Sequence, residues 1–253
     1  MSDPVGDISR MPRGGHDASW LDRLLQTNLS QYQDRDDADP ELLRGLRTER
    51  IRVQSFLHTH QHVARLVLDD VADMADPAIL QLGADNDEVA TLLLHDHPTA
   101  RLTVSSPDPE LVGEWADGVL GDQPRAHLRT LDPTAINAAN DEFDLAFLAF
   151  GLHHLSAVAG ARFIAEGTRV AGELLIIDVF RPPSPLHLVR LAAMAPLAPV
   201  IPFVHDELIS SLEAYSTSAI RAMAASAAER AGTTIDVDVS RSGPITVVRA
   251  ARG

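Results

Sequence analysis

Residues 77–88 read PAILQLGADNDE, and this segment gives the clearest indication of the fold. Its first half is a short apolar run that predicts a buried strand, and Gly83 marks a turn at the end of that run. The acidic residues that follow are typical of the first turn of a helix, where they favour the positive end of the helix dipole. A strand that turns directly into a helix is a basic unit of an α/β fold.

Short apolar runs continue to alternate with helical stretches beyond this unit. Such alternation predicts a mostly parallel sheet that is covered on both faces and connected by right-handed crossovers. The predicted strands are Ala78–Leu82, Arg101–Ser105, Ala126–Thr130, Phe143–Phe150, Glu173–Phe180, Thr234–Val239 and Ile245–Ala250. The predicted helices are Asp87–Asp96, Pro109–Leu120, Ala157–Val170 and a helix capped by Ser216 that runs to Arg230.

Three segments lie outside this alternation. Residues 1–40 are predicted to be a flexible or loosely docked head, and residues 41–253 to be the main domain. Within that domain, residues 41–76 have helical periodicity and predict two helices with a break near His58–His62. The proline-rich residues 181–215 predict short helices that form a cap over the ligand edge of the sheet. The head also contains one apolar helical face: Trp20, Leu21, Leu24, Leu25 and Leu29.

Composition excludes several classes of function. The formal net charge is −15, with 21 Lys and Arg against 36 Asp and Glu, and an acidic chain repels phosphate backbones, so we expect no nucleic-acid binding. The absence of cysteine excludes disulfides, thiolate metal sites and cysteine nucleophiles. There is no secretory signal and no apolar run of about 18 residues, so we expect no membrane span and a cytoplasmic location. Every fixed side-chain cation is arginine, which indicates a GC-rich, actinobacterial genome.

The order of the landmarks resembles the class I S-adenosylmethionine-dependent methyltransferases of the small-molecule type. After the first strand and its glycine turn come Leu102–Pro109, Arg129–Asp132, Phe143–Leu155 with its His-His-Leu, and Gly172–Asp178. The resemblance spans roughly Arg50 to Arg252. It implies a Rossmann-like sheet of seven strands with the last strand reversed. It also implies methyl transfer from S-adenosylmethionine to a small apolar or amphipathic metabolite, and it leaves open a homodimer or a partner subunit.

The resemblance also implies a set of site residues. His153 and His154 follow the fourth strand beside the expected methyl acceptor, where an imidazole can remove a proton. The alternative is that one of them only orients the loop. His205-Asp206 either reaches into the acceptor pocket or caps a helix. No metal is expected, because no carboxylate motif accompanies the histidines of 58–62. The residues expected to bind the cofactor are Gln81, Gly83, Ala84, Asp85, Ser106, Asp108, Asp132 and Phe150.

The cofactor loop departs from the family pattern at four positions. Gln81 and Ser106 replace acidic residues, and Asp85 and Asp87 replace glycines. Each new carboxylate repels the cofactor's own carboxylate by a few kcal/mol at ~4 Å and an effective dielectric near 20. Loss of the acidic ribose partner forfeits a hydrogen bond of about 1.5–3 kcal/mol.

Two interpretations of these departures stay open. In the first, the acids point to solvent, Asp108 takes over the ribose, and the cofactor still binds. In the second, the protein has lost methyl transfer and serves as a metabolite-binding protein, a partner subunit or a non-methylating enzyme.

Overall fold

A central sheet organises the chain, in a computed structural model that describes residues 7–25, 31–32, 39–196, 198 and 201–253. The described strands lie in the order β3-β2-β1-β4-β5-β7-β6, with β7 antiparallel to both neighbours and the other neighbouring pairs parallel. The seven-stranded, mostly parallel sheet with a reversed last strand is therefore confirmed. The strands are β1 Ala78–Leu82, β2 Arg101–Ser106, β3 Ala126–Thr130, β4 Phe143–Ala149, β5 Ala171–Val179, β6 Ile235–Ser242 and β7 Ile245–Arg252.

Helices cover both faces of the sheet and extend beyond its carboxyl edge. The predicted break between α2 and α3 is present and falls at His58, which has φ +54°. One face packs against α6 and α9 and the other against α3, α4 and α5, so the sheet separates two apolar cores. The described helices are α1 Trp20–Leu24, α2 Pro40–Phe56, α3 Thr59–Asp70, α4 Glu88–Asp96, α5 Pro109–Ala116, α6 Ala157–Val170, α7 Ser184–Met194, α8 Pro202–Glu213 and α9 Thr217–Ala231.

The described part of the head is docked on the main domain. Ile8 and Met11 belong to the core beneath α6 and α9, and Gln31 has no solvent exposure. The apolar face identified in the sequence does not form the docking contact at Trp20 and Leu24, which are 76% and 70% exposed. Helix α1 is anchored instead by charge: Asp22 pairs with the buried Arg181 at 3.2 Å. Leu29 of the predicted face lies outside the described residues.

The cap contains the two short helices α7 and α8. They are joined by the fully buried His187, whose Nε2 lies 3.1 Å from the Ser211 hydroxyl. Burial, aided by nearby arginines, lowers the pKa of His187 to about 4, so this contact is between neutral groups. Within the described part of the chain, every helix is too short or too polar to cross a membrane.

Candidate functional site

The turn after β1 keeps the backbone geometry that a ligand-binding loop needs. Gly83 has φ +59°, and a Cβ there would lie 3.1 Å from Cδ1 of Leu148. The next residue, Ala84, donates its N–H to the Ser105 carbonyl at 2.9 Å, which ties the turn to β2. The positive φ therefore favours glycine at this position, and a Cβ would require Leu148 to shift by a few tenths of an ångström.

The acidic residues of this loop lie at its surface. Asp85 is exposed, and its Oδ1 accepts a hydrogen bond from Nδ2 of the buried Asn86 at 2.7 Å. The Asn86 Oδ1 accepts the N–H of Glu88 at 3.1 Å, so Asn86 serves the first turn of α4. Asp87 occupies the N-cap position without a side-chain cap bond. Asn86, which the sequence did not single out, is thus the residue that organises the loop.

Two side chains from α2 and α3 close over this turn. Nε2 of the buried His60 lies 2.8 Å from Oε1 of Gln54, and burial lowers the pKa of His60 despite the acidic neighbours Glu88 and Asp85. The space left beside the turn is about 20 Å³, lined by Gln54, His60 and Gln81 among others. Oε1 of Gln81 is buried and has no hydrogen-bond partner among the described residues. This small cavity holds about one water molecule.

Ser106, Asp108 and Asp132, which were predicted to bind the cofactor, make hydrogen bonds within local turns and a helix cap. The Ser106 hydroxyl accepts from the N–H of Asp108 at 3.3 Å, and Asp108 caps α5 by accepting from Glu110. Asp132 accepts from both the backbone and the hydroxyl of Thr134 at 2.8 Å. None of the three lines the small cavity or the larger cavity described below. Their role in cofactor binding stays a prediction.

Phe150 leaves β4 in a strained conformation. Its φ is +55°, which is uncommon for a bulky residue, and its N–H donates to the Ile177 carbonyl at 2.7 Å. The ring lines both the small cavity and the larger one. Such strain occurs most often at functional sites, because the surrounding structure must impose it.

His153 forms a buried ion pair with Asp178 at the carboxyl end of β5. Its Nδ1 lies 2.6 Å from Oδ1 of Asp178, and its N–H donates to Oδ2 at 2.8 Å. Burial alone would lower the pKa of His153, but the charge and hydrogen bond of Asp178 outweigh it and raise that pKa. Burial in turn raises the pKa of Asp178, and its bonds to His153 and Val179 reverse this and lower it. His153 is therefore suited to hold the loop, which is the orienting role considered above.

His154 stacks on His153 with ring centroids 4.1 Å apart and lines the larger cavity. Nε2 of Gln31 donates to the Glu213 carboxylate at 2.9 Å and lies 3.4 Å from Nδ1 of His154. A carboxylate only accepts hydrogen bonds, so the Gln31 atom that contacts Glu213 must be the amide nitrogen and not the amide oxygen. Nδ1 of His154 therefore faces a donor, and a neutral ring carries its proton on Nε2. Removal of a substrate proton by His154 requires the other tautomer and stays a prediction.

The larger cavity has a volume of about 260 Å³ and lies beyond the carboxyl ends of β4 and β5, beneath the cap. This is where ligands of open α/β sheets bind. The structure brings four predicted residues to it: Asp85, Phe150, His153 and His154. The remaining lining residues are Arg50, Val53, Gln54, Leu57, Thr59, Val179, Arg190, Phe203, Glu207, Ser210, Pro244 and Ile245.

Other histidines singled out in the sequence have structural contacts. His205 and Asp206 lie within α8, where Oδ1 of Asp206 accepts the Tyr32 N–H at 2.9 Å, and neither residue lines the cavity. Nε2 of His62 lies 3.0 Å from the Ser242 hydroxyl. Among the residues that the structure describes, no group of three or more potential ligands is placed to hold a metal ion.

We compared the chain with protein-family models, with curated protein sequences and with solved structures. No protein-family model matches the chain, and neither does any curated protein sequence. Solved structures do match. The protein has the fold of the class I methyltransferases.

Three solved structures illustrate this likeness. Human N-acetylserotonin methyltransferase, in complex with S-adenosylmethionine, is 17% identical with a TM-score of 0.58 over 92% of this chain and 64% of that chain. The magnesium protoporphyrin IX methyltransferase of Synechocystis is 14% identical with a TM-score of 0.55 over 88% and 91%. A putative O-methyltransferase of Nostoc punctiforme is 18% identical with a TM-score of 0.53, and this chain spans 56% of its length. At these identities the likeness establishes the fold, and the activity has to be argued from the site.

The residues present do not fit S-adenosylmethionine in the place that this fold provides for it. A ligand of that kind needs a pocket of about 300–1,000 Å³, whereas the space beside Gly83 is about 20 Å³. Asp85 lines this small space together with Gln54, His60 and Asn86, whereas Asp87 does not line it. Closure of the site is therefore a property of α2 and α3 together with the loop.

Proposed function

We propose that this protein binds a small amphipathic metabolite in the 260 Å³ cavity beneath its cap and does not carry out methyl transfer from S-adenosylmethionine. This is a non-methylating function on a methyltransferase fold. The observation that carries it is the contrast between the two adjoining cavities. The one at the acceptor position has room for a small molecule, and the one at the cofactor position has room for about one water.

The lining of the larger cavity supports an amphipathic ligand. Apolar side chains from α2, β4 and α8 form much of its wall, including Val53, Phe150 and Phe203. Charged and polar groups, among them His154, Arg190 and Glu207, lie in the same wall. An apolar cavity with a few placed polar groups is typical of small-molecule sites. Three assembly states are compatible with this function: a monomer, a homodimer and a complex with a partner subunit. Light scattering of the purified chain distinguishes the monomer from the homodimer.

Methyl transfer from S-adenosylmethionine is the second candidate. Two observations favour it: Gly83 keeps the positive φ of a ligand-binding turn, and Oε1 of Gln81 is a buried acceptor without a partner among the described residues. An ammonium group beside Gln81 would satisfy that acceptor. This candidate requires Gln54 and His60 to withdraw from the turn.

Calorimetric titration with S-adenosylmethionine and with its demethylated product distinguishes the two candidates. We expect no binding heat for either compound at about millimolar concentration, because the space beside Gly83 is too small. Binding of either compound at about micromolar concentration would contradict the proposal and favour methyl transfer.

Ligand binding in the larger cavity is tested with a blocking variant. Val53→Trp places a bulky ring in the cavity wall, and Phe56→Trp places the same ring on α2 where Phe56 is 82% exposed and does not line the cavity. Saturation-transfer NMR with a collection of small ring compounds should find ligands of the wild type and of Phe56→Trp that Val53→Trp does not bind. If no compound distinguishes the two variants, the cavity is not the binding site.

A further inference from the structure

The larger cavity contains charges of both signs that are left unmatched. Arg190 of α7 and Glu207 of α8 both line it, and the structure gives neither side chain a hydrogen bond or an ion pair within the described residues. The guanidinium and the carboxylate are therefore more than 4.0 Å apart. Two long side chains of opposite charge on consecutive helices thus face one cavity without pairing.

The other acids at this cavity have partners. The Asp85 carboxylate accepts from Asn86, and Asp178 behind the wall is matched by His153. Arg50 also lines the cavity and has a contact of its own. Arg190 and Glu207 are thus the charged pair that a ligand can complete. Arg190 is exposed and Glu207 is half-buried. A charge-assisted hydrogen bond is roughly twice as strong as a neutral one.

Apolar side chains leave room for a hydrocarbon group in the same cavity. Val53 and Leu57 of α2, together with Phe150 and Phe203, contribute to the wall. The volume of about 260 Å³ equals that of roughly nine water molecules in the liquid. A ligand on the order of ten heavy atoms fits this space.

We propose that the ligand of this cavity is a small zwitterion with an apolar group, of the α-amino acid class. Its carboxylate pairs with Arg190, its ammonium group pairs with Glu207, and its apolar group packs on Val53 and Phe203. This inference rests on the proposed binding function and specifies the chemical class of its ligand.

Four probes that share one phenyl ring test this inference. They are L-phenylalanine (zwitterion), 3-phenylpropanoate (anion), 2-phenylethylamine (cation) and 2-phenylethanol (neutral), and the dissociation constant of each is measured by ligand-observed NMR near neutral pH. We expect L-phenylalanine to bind at least about tenfold more tightly than each of the others, because only it pairs with both charges.

Charge-removing variants identify the two partners. Arg190→Gln should weaken L-phenylalanine and 3-phenylpropanoate about tenfold and leave 2-phenylethylamine unchanged, and Glu207→Gln should weaken L-phenylalanine and the amine and spare the acid. Arg52→Gln is the matched control: Arg52 pairs with Glu49 on the exposed face of α2 and does not line the cavity. It should change none of the four constants.

The other possible outcomes separate the zwitterion assignment from the proposed binding function. The zwitterion assignment is overturned if the acid, the amine or the alcohol binds as tightly as L-phenylalanine, or if both cavity variants leave L-phenylalanine binding unchanged. If the alcohol binds as tightly as L-phenylalanine and Val53→Trp abolishes its binding, the zwitterion assignment is overturned and the proposed function is supported. If none of the four probes binds, the assignment is wrong, and the compound collection with Val53→Trp and Phe56→Trp decides the proposed function separately.

Discussion

Replacing Asp178 by asparagine breaks the buried ion pair beneath the cavity without changing the size of the side chain. The carboxylate accepts three hydrogen bonds, from Nδ1 of His153 at 2.6 Å, from the His153 N–H at 2.8 Å and from the Val179 N–H at 2.7 Å. His153 and Asp178 are only 3% and 5% exposed, so solvent cannot replace the lost charge. Breaking a buried pair by removing one partner costs about 3–5 kcal/mol, and we expect Asp178→Asn to lose that much stability.

The stability that this pair provides depends on pH with a definite sign. The pKa of His153 is raised above its ordinary 6.5, so its contribution is full below that value and is lost as pH rises through the raised pKa. The pKa of Asp178 is lowered below its ordinary 3.8, so its contribution is present above that value and is lost as pH falls through the lowered pKa. The pair therefore stabilises most between these two ordinary values, and the deficit of Asp178→Asn should shrink on the alkaline side.

Urea unfolding of wild type and variant, at about pH 5.5 and about pH 9, measures this effect. At the lower pH the midpoint should fall by roughly 1 M or more, since a loss of about 3–5 kcal/mol is divided by a slope of about 1–3 kcal/mol per molar. The control is Asp96→Asn, because the His95–Asp96 pair has nearly the same separation, 2.7 Å, but side chains that are 83% and 47% exposed. That variant should change stability by no more than about 0.5 kcal/mol. Equal losses of stability in the two variants, or a stability deficit of Asp178→Asn that does not change with pH, would show that the buried charge pair is not the source of the stabilisation.

Two further predictions concern the turn at Gly83 and the buried Tyr215. Gly83→Ala should destabilise more than Gly232→Ala: both sites have positive φ, +59° and +63°, which costs an alanine about 1–2 kcal/mol, but only Gly83 has Leu148 within contact distance. Thermal unfolding of both variants checks this, and equal losses would contradict it. Burial raises the pKa of Tyr215 to about 12, so in a Tyr32→Phe variant, where Tyr215 is the remaining tyrosine, ultraviolet titration should place ionisation near that value. Ionisation near pH 10 in the folded variant would show that the hydroxyl is accessible to water.

The sheet was largely predictable because its signals are local. The bounds of β1 and β3 agree with the prediction, since apolar runs bounded by turn residues identify buried strands directly. Helix α5 ends earlier than expected, at Ala116, because the chain turns at Asp117 and Gly118. The contact that docks α1 was not predicted, because it depends on a carboxylate, Asp22, that meets an arginine 159 residues away.

The residues of the candidate site were predictable only where they follow strands, because the carboxyl ends of parallel strands meet at one edge of the sheet. Asp85, Phe150, His153 and His154 all follow strands whose carboxyl ends meet at one edge of the sheet, so their proximity follows from the topology. Asp178 is the penultimate residue of β5, at the same edge, and that position was the signal that could have identified it. Gln31, Arg190 and Glu207 come from the head and the cap, and no spacing in the sequence relates them to that edge.

The order of apolar runs, turns and helices determined the α/β architecture, because each strand and helix is specified by short-range periodicity that can be read along the chain. The residues of the loop after β1 also predict a departure from the pattern of the family that the sequence resembles, and this stays a prediction. Only the tertiary structure decided how much space remains there. That volume depends on how side chains from α2 and α3 pack over the loop after β1, and such packing joins residues that are distant in sequence. A protein of this fold can therefore keep its strands and its glycine turn and still have a cavity of about 20 Å³ at the cofactor position.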